Sequence, residues 1–103
     1  MTFEAIRIIR ANHPSVPGHF PDAPLVPGVV ILDEVIAALA EWQQNSQLSG
    51  IRMVKFLAPL QPEQAFTISL SLRNEHAAEV NFCCRAEDCV IVEGQLEVVW
   101  RAE

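Results

Sequence analysis

The sequence is short of basic residues. It has seven lysines and arginines against thirteen aspartates and glutamates, which gives a formal net charge of −6. Binding to nucleic-acid phosphates requires a concentrated basic face, so the composition argues against a nucleic-acid partner. No run of five like charges occurs, so a charged tail is not predicted either.

Long apolar segments and cysteine motifs are missing as well. No apolar run approaches the roughly 20 residues of a membrane-spanning helix, and Met1–Arg10 lacks the apolar core of a signal peptide. Cys83, Cys84 and Cys89 show no CxxC spacing. They are predicted to be reduced apolar fillers, with a structural disulfide or zinc site as the lesser alternative. These absences predict a cytoplasmic protein with no membrane partner and no metal.

Apolar residues are plentiful. Half of the 103 residues are hydrophobic, which is high for a small soluble chain. A chain of this length is predicted to form one domain, residues 1–103, and to bury only about 60–70% of the surface that the unfolded chain exposes. The excess of apolar residues therefore predicts burial between subunits in a homo-oligomer.

The hydrophobic pattern predicts one strand, one long helix and four further strands. The first strand is predicted at Phe3–Arg10, near a sheet edge, and the helix from Pro27 to about Gln44, apolar on nearly every side and ended by Asn45–Gly50. The later strands are predicted at Ile51–Ala58, Phe66–Leu72, Glu79–Ala86 and Val90–Arg101, the last weakened or bulged at Gly94. Short turns make such strands antiparallel, and a helix that is apolar all round must be surrounded. The predicted fold class is α+β, with one antiparallel sheet wrapped around one buried helix.

Proline is concentrated in one loop. Five of the seven prolines lie between Pro14 and Pro27, and since proline fixes φ, this loop is predicted to be stiff. The loop carries His19, and the helix behind it carries Asp33 fourteen positions later. A stiff loop and a buried helix that each present an ionisable group predict a site for acid–base chemistry.

The start of the helix adds a third element. No Ser, Thr, Asp or Asn precedes Pro27 to cap the helix, so the N–H groups of Gly28 and Val29 are predicted to be free for an anion or a carbonyl oxygen. The missing side chain of Gly28 either lets a ligand approach or merely relieves crowding. Glu34 competes with Asp33 for the acid role, but it points about 100° away around the helix. A base, an acid and an oxyanion donor suit proton removal next to a carbonyl with loss of a group one carbon further on.

The stretch Gly18–Glu34, GHFPDAPLVPGVVILDE, resembles the signature of the hotdog-fold (3R)-hydroxyacyl-[acyl-carrier-protein] dehydratases, in the short stand-alone branch of aryl-polyene and polyketide pathways. That signature runs roughly GHFPGxPxxPGVLxxE, or ends in Asp, with the same histidine-to-acid spacing. Val54–Gln64, VKFLAPLQPEQ, is similar to the family's FxxPVxPGD segment. The chain departs from the family at Asp22, Ala37 and Glu63, which replace a glycine, a glutamine and a glycine.

The resemblance implies a hotdog fold and a dimer, a larger homo-oligomer or a heterodimer, with His19 of one chain facing Asp33 of the other. His19 would remove the C2 proton of a (3R)-hydroxyacyl thioester, and Asp33 would protonate the departing 3-hydroxyl. The thioester carbonyl would be bound by Gly28 and Val29, and the substrate channel lined by Phe20, Pro27 and Ala37. No cofactor is implied beyond the phosphopantetheine arm that carries the substrate on an acyl carrier protein. Few basic residues are available to dock that acidic partner: Arg10, Arg52 and Lys55.

Two other interpretations stay open. Hotdog thioesterases use a helix carboxylate to activate water, although they generally lack the loop histidine, and release of free thiol would favour that function. A non-catalytic hotdog subunit that binds acyl chains, or pairs with an active partner, is the third interpretation. Asp22 and Ala37 are the residues that favour it.

Overall fold

The computed structural model describes residues 1–12, 25–74 and 76–101. Their elements follow in the order β1 (Thr2–Ile8), α1 (Gly28–Trp42), β2 (Ser46–Phe56), β3 (Ala65–Leu72), β4 (Glu79–Ala86) and β5 (Cys89–Trp100). This order confirms the prediction of one strand, one helix and four further strands. Among these residues no helix has the length and apolar character needed to cross a membrane.

The described strands form one antiparallel sheet in the order β1-β3-β4-β5-β2. β1 lies at one edge, as predicted, and pairs with β3 from Thr2↔Ser71 to Ile8↔Ala65. β2 lies at the other edge and pairs with β5. It therefore does not pair with β3, the strand that follows it in the sequence. Residues 57–64 make this crossing, and we call them the crossover segment.

Alternation along β3 and β4 builds the core as predicted. Phe66, Ile68, Leu70 and Leu72 on β3, and Val80, Phe82 and Cys84 on β4, are all buried. They belong to one apolar cluster with the sheet-facing residues of α1. The α+β class, with the helix packed against one face of the sheet, is therefore confirmed.

The three cysteines are free thiols, as predicted. Burial raises the pKa of the Cys84 thiol to about 12, and the neighbouring Cys83 adds to the effect. A thiol with so high a pKa is a poor nucleophile, so Cys84 behaves as an apolar filler. Cys83 is half-buried and Cys89 is exposed, so the filler role applies fully to Cys84 alone.

β2 differs from its predicted bounds. It begins at Ser46 rather than Ile51 and ends at Phe56 rather than Ala58, so most of the polar segment that was expected to form a loop is strand. Its polarity misled the prediction because residues 46–50 lie at the sheet edge, where alternate side chains face solvent. The ladder with β5 skips Ser49 and Arg52, so the irregularities of this pair lie on β2.

Of the two predictions for Gly94, a weakened or a bulged strand, the bulge is wrong. Gly94 stays in continuous register with Val54 on β2 and with Phe82 on β4. A Cβ at this position would lie 2.1 Å from the carbonyl oxygen of Met53 and 2.8 Å from the ring of Phe82. The glycine is therefore required by the close approach of β2 and not by a bulge.

The helix starts one residue later than predicted. Pro27, with φ −59° and ψ 141°, is the N-cap residue instead of the first helical residue, and the helix ends at Trp42 rather than near Gln44. Within one chain the sheet covers only one side of the helix, and the prediction left the other side to be covered by a second copy. The sheet side is buried, while a stripe that we call the open face is exposed: Val29, Asp33, Ala37 and Ala40.

Contacts with β1 fix the rotation of α1 about its axis. Arg7, on the helix side of β1, forms ion pairs with Glu34 at 3.8 Å and with Glu41. Near the other end of β1, the ring of Phe3 stacks on Trp42 with centroids 5.8 Å apart. These contacts keep the open face turned away from the sheet.

Candidate functional site

Asp33 is the charged residue of the open face. The four residues of this face recur at spacings of four and three along the helix, so they form one continuous stripe. The Asp33 carboxylate forms no ion pair or hydrogen bond with another described residue. Asp33 is exposed in the single chain, because no part of the described chain covers this side of α1.

Glu34, the competing carboxylate, has a structural contact instead. It lies about 100° further around the helix, and its Oε1 atom is 3.8 Å from Nε of Arg7 on β1. This pairing turns Glu34 towards β1 and away from the open face. The two neighbouring carboxylates therefore differ in their surroundings. Glu34 is paired with Arg7, whereas Asp33 faces outward.

Asp33 also borders a cavity of about 320 Å³ between α1 and the residues that follow β1. The opposite wall includes Ile9, Arg10 and Asn12. Asn12 is the last described residue before the proline-rich loop, so the segment with His19 leaves the described chain at this wall. His19 and Phe20 themselves lie outside the described residues, and their roles stay predictions.

The start of α1 is uncapped, as predicted. Pro27 provides no side-chain hydrogen bond to it. The N–H of Val30 donates to the carbonyl oxygen of Pro27 at 3.0 Å, whereas the N–H groups of Gly28 and Val29 donate to no described residue. These two amides lie at the positive end of the helix dipole, so they can hold an anion or a polarised carbonyl oxygen.

Phe56 occupies the space beside Gly28. A Cβ on Gly28 would lie 2.6 Å from Cε1 and Cζ of the Phe56 ring, which shares with Ile31 and Leu60 the walls of an apolar cavity of about 480 Å³. The missing side chain of Gly28 thus makes room for the Phe56 ring. This agrees with the second of the two predictions for Gly28, that the glycine relieves crowding. Phe56 is itself 53% exposed at the end of β2, so its ring can swing outward without disturbing the core.

The two cavities open on different sides of the helix. The cavity at Gly28 and the cavity at Asp33 share no described lining residue. Val29 and Asp33 both lie on the open face, so a ligand can reach the helix start and Asp33 along that face. Pro27, half-buried at the N-cap, lies at the start of that path.

Sequence reasoning missed Phe56 beside the site, and it singled out Glu63 only as a departure from the family pattern without its contacts. Phe56 lies far from Gly28 in the sequence, and nothing in its local pattern shows that contact. Glu63 has φ 66°, in the left-handed region that favours glycine. The signal for Glu63 was its place after Pro62, where the resembling family carries glycine.

Gly28→Ala is expected to displace the Phe56 ring while the chain stays folded. The added methyl group meets the outer end of a half-exposed side chain, so the free energy of unfolding should change by about 1 kcal/mol or less. Urea denaturation measures this change, and aromatic NMR signals report the movement of the ring. In a Phe56→Ala background the same substitution should cost nothing further. A loss of several kcal/mol in that background would show that Gly28 is constrained by another contact.

Sequence comparison identifies relatives along nearly the whole chain. The profile of the ApeI-like family, described as ApeI dehydratase, matches residues 2–95. The chain is similar to the 3-hydroxyacyl-[acyl-carrier-protein] dehydratase FabZ of Ehrlichia chaffeensis, with 28% identity over 100 residues that cover 89% of this chain and 70% of that protein. It is also similar to the FabZ of Chlamydia abortus, with 30% identity over 100 residues that cover 85% and 65%.

Solved structures share the architecture. A chain of the dehydratase heterocomplex ApeI:P from Xenorhabdus doucetiae superposes with a TM-score of 0.81 and 26% identity, over 94% of this chain and 86% of that chain. Slr0204, a 1,4-dihydroxy-2-naphthoyl-CoA thioesterase from Synechocystis, superposes with a TM-score of 0.74, over 96% and 81% of the two chains, but at 14% identity it shows the fold alone. The predicted hotdog fold is confirmed. Because the family profile covers residues 2–95, the chain belongs to the ApeI-like dehydratase family.

Proposed function

We propose that the protein dehydrates a (3R)-hydroxyacyl thioester to the trans-2-enoyl thioester. The observation that carries this proposal is the position of Asp33, a lone carboxylate on an otherwise apolar helix face. The uncapped amides of Gly28 and Val29 lie on the same helix, one turn earlier. Membership of a dehydratase family supports this reaction over others that the hotdog fold carries.

The reaction needs three groups, and the chain has a candidate for each. His19 takes the proton from C2 while the N–H groups of Gly28 and Val29 hold the thioester oxygen, on which negative charge develops. Asp33 gives a proton to the 3-hydroxyl group as the C3–O bond breaks. The C2–H and C3–O bonds are lost, the C2–C3 double bond forms and one water molecule leaves. No metal or redox cofactor takes part in these steps.

We propose that a second hotdog chain completes the site. The open face includes Val29, which is 64% exposed, and the β2 edge exposes Ile51 and Met53, at 47% and 38%. An exposed apolar edge strand favours pairing with another strand, and pairing between two β2 strands would extend the sheet across the dimer. In that dimer His19 of one chain serves Asp33 of the other. A homodimer is the simpler form; a heterodimer with a second hotdog chain is the alternative, since the similar ApeI:P assembly is a heterocomplex.

An acyl carrier protein is the proposed donor of the substrate, on its phosphopantetheine arm. Two of the three predicted docking residues are already paired, Arg10 with Glu63 and Arg52 with Glu79. Lys55 has no ion pair among the described residues and precedes Phe56 at the end of β2. We therefore place the docking of the acidic carrier near Lys55, next to the helix start where the thioester would bind.

The test is an assay of enoyl thioester hydration, the reverse reaction, followed by the loss of absorbance of the conjugated double bond. The purified chain should hydrate enoyl thioesters on acyl carrier protein and release no free thiol. His19→Asn should lower the rate at least about a hundredfold, the range expected for loss of a general base, whereas His76→Asn in the exposed turn before β4 is the matched control. Full activity of His19→Asn contradicts the mechanism. Thiol release without hydration would show a thioesterase. Inactivity of the purified chain with every chain length would contradict an active homodimer and would leave a chain that needs a second hotdog chain or is itself non-catalytic.

A further inference from the structure

Glu63 binds three consecutive residues after β1. Its N–H donates to the carbonyl oxygen of Ile9 at 2.7 Å. Its carboxylate accepts a hydrogen bond from the N–H of Ala11 at 2.7 Å and another from Nη1 of Arg10 at 3.1 Å. The crossover segment thus holds the chain at the point where it leaves β1.

The backbone conformation of Glu63 shows that these contacts have a cost. Its φ of 66° lies in the left-handed region, where a residue with a side chain is strained by about 1 kcal/mol or more relative to glycine. Glycine would relieve this strain but would lose the carboxylate. The contacts of the side chain explain why glutamate is tolerated here.

The Glu63 carboxylate is ionised at neutral pH. The hydrogen bond from the Ala11 N–H, followed by the contact with Arg10, lowers its pKa below the usual range of glutamate. A group with a lowered pKa keeps its contacts above the ordinary pKa and loses them as the pH falls through the lowered value. Glu63 is therefore ionised, and able to pair with Arg10, under physiological conditions.

Arg10 borders the same cavity of about 320 Å³ as Asp33. The other charged residue at this cavity is Glu34, from α1, and it is paired with Arg7 on β1. Arg10 is thus the described cation at the cavity that could turn towards Asp33, while Glu63 binds its guanidinium. A guanidinium beside a carboxylate favours the ionised form, which cannot donate a proton.

We propose that Glu63 is a positioning residue that keeps Arg10 away from Asp33 and fixes the cavity wall formed by Ile9–Asn12. This inference rests on the proposed function, in which Asp33 donates a proton. Glu63 acts through Arg10 and touches no substrate.

The first experiment compares Glu63→Gln with Glu63→Gln/Arg10→Gln in the full chain. Glutamine can still accept from the Ala11 N–H but does not hold the guanidinium by charge, so the single variant should lose about tenfold in kcat with KM little changed. Removing Arg10 as well should restore most of the lost rate. A purely structural role for the pair predicts a double variant no better than the single one, and that result would overturn the inference.

The second experiment does not depend on activity. The amide proton of Ala11, followed by NMR during acid titration of the wild-type chain, should move with the protonation of Glu63, at a midpoint below the ordinary value for glutamate. The Glu63→Gln variant should show no such titration. If the Ala11 signal does not titrate in the wild type, the contact is absent and the inference fails, whatever the enzyme activity. If it titrates while the protein hydrates no enoyl thioester, the proposed function fails and the contact stands.

Discussion

Asp33→Asn is expected to lower kcat for dehydration by about a thousandfold, within the range for loss of a general acid. The amide has the shape of the carboxyl group but cannot give a proton to the departing hydroxyl. Asp33 has no partner among the described residues and is exposed in the single chain, so the free energy of unfolding should change little. Steady-state rates on a hydroxyacyl thioester and urea denaturation measure the two effects.

Glu34→Gln is the matched control for this substitution, since it changes the next residue of the same helix. It weakens the ion pair with Arg7, so it should cost a small amount of stability and keep kcat within about threefold of the wild type. A rate loss as large in Glu34→Gln as in Asp33→Asn would contradict the assignment of the acid. A nearly active Asp33→Asn would do the same.

Mixing two inactive variants tests the shared site. If His19 and Asp33 meet across a dimer interface, His19→Asn and Asp33→Asn chains should form mixed dimers in which one site carries both native residues. Random exchange of subunits would then restore about a quarter of the wild-type activity, whereas sites built within one chain would give none. Mixed samples that stay inactive after verified exchange would place both groups in the same chain.

Gly94→Ala is expected to lower the free energy of unfolding by about 3 kcal/mol, at the high end for overpacking. The new methyl group would lie 2.1 Å from a backbone oxygen, that of Met53, and 2.8 Å from the Phe82 ring. Backbone cannot rotate away as a flexible side chain does, so β2 must separate from β5. Urea denaturation with a far-UV signal measures the loss.

Gly50→Ala is the matched control for this second substitution, on the strand that pairs with β5. A Cβ at Gly50 would have as its nearest neighbour Oε2 of Glu97 at 3.9 Å, which is ordinary contact. The change in stability should therefore stay below about 1 kcal/mol. Equal losses in the two variants would show that general strand propensity, and not the approach of Met53, explains the glycine.

The sequence predicted the fold well wherever one face of an element is buried and the other is solvated. β4 has its predicted bounds and β3 differs by one residue, because alternation has a period that no helix shares. The predicted start of β2 was wrong, because an edge strand needs no apolar alternation where its side chains face solvent. The helix was predicted correctly, but the sequence did not show which of its sides would be exposed. When a helix is apolar on both sides, the sequence cannot tell which side packs on the sheet of its own chain and which packs on a partner.

The site was predictable in part for a similar reason. Asp33, Gly28 and Val29 belong to one local motif, so the sequence places them on one helix start. Phe56 contacts the helix start, and Glu63 contacts the residues after β1, both from elsewhere in the chain. Their contacts depend on the path of the crossover segment, and a local pattern cannot show which distant residues such a segment brings together.

The pairing of β1 with β3 sets the order in which the protein can fold. Thr2 pairs with Ser71 and Ile8 with Ala65, so β1 is synthesised well before β3 and must wait for more than fifty further residues before it can pair. Contacts between such distant residues form slowly because a long loop must close first. Ile9–Asn12, one wall of the cavity beside Asp33, directly follows β1. The cavity beside Asp33 is therefore among the last parts to assemble, and a nascent chain can carry its helix and Asp33 long before this cavity exists.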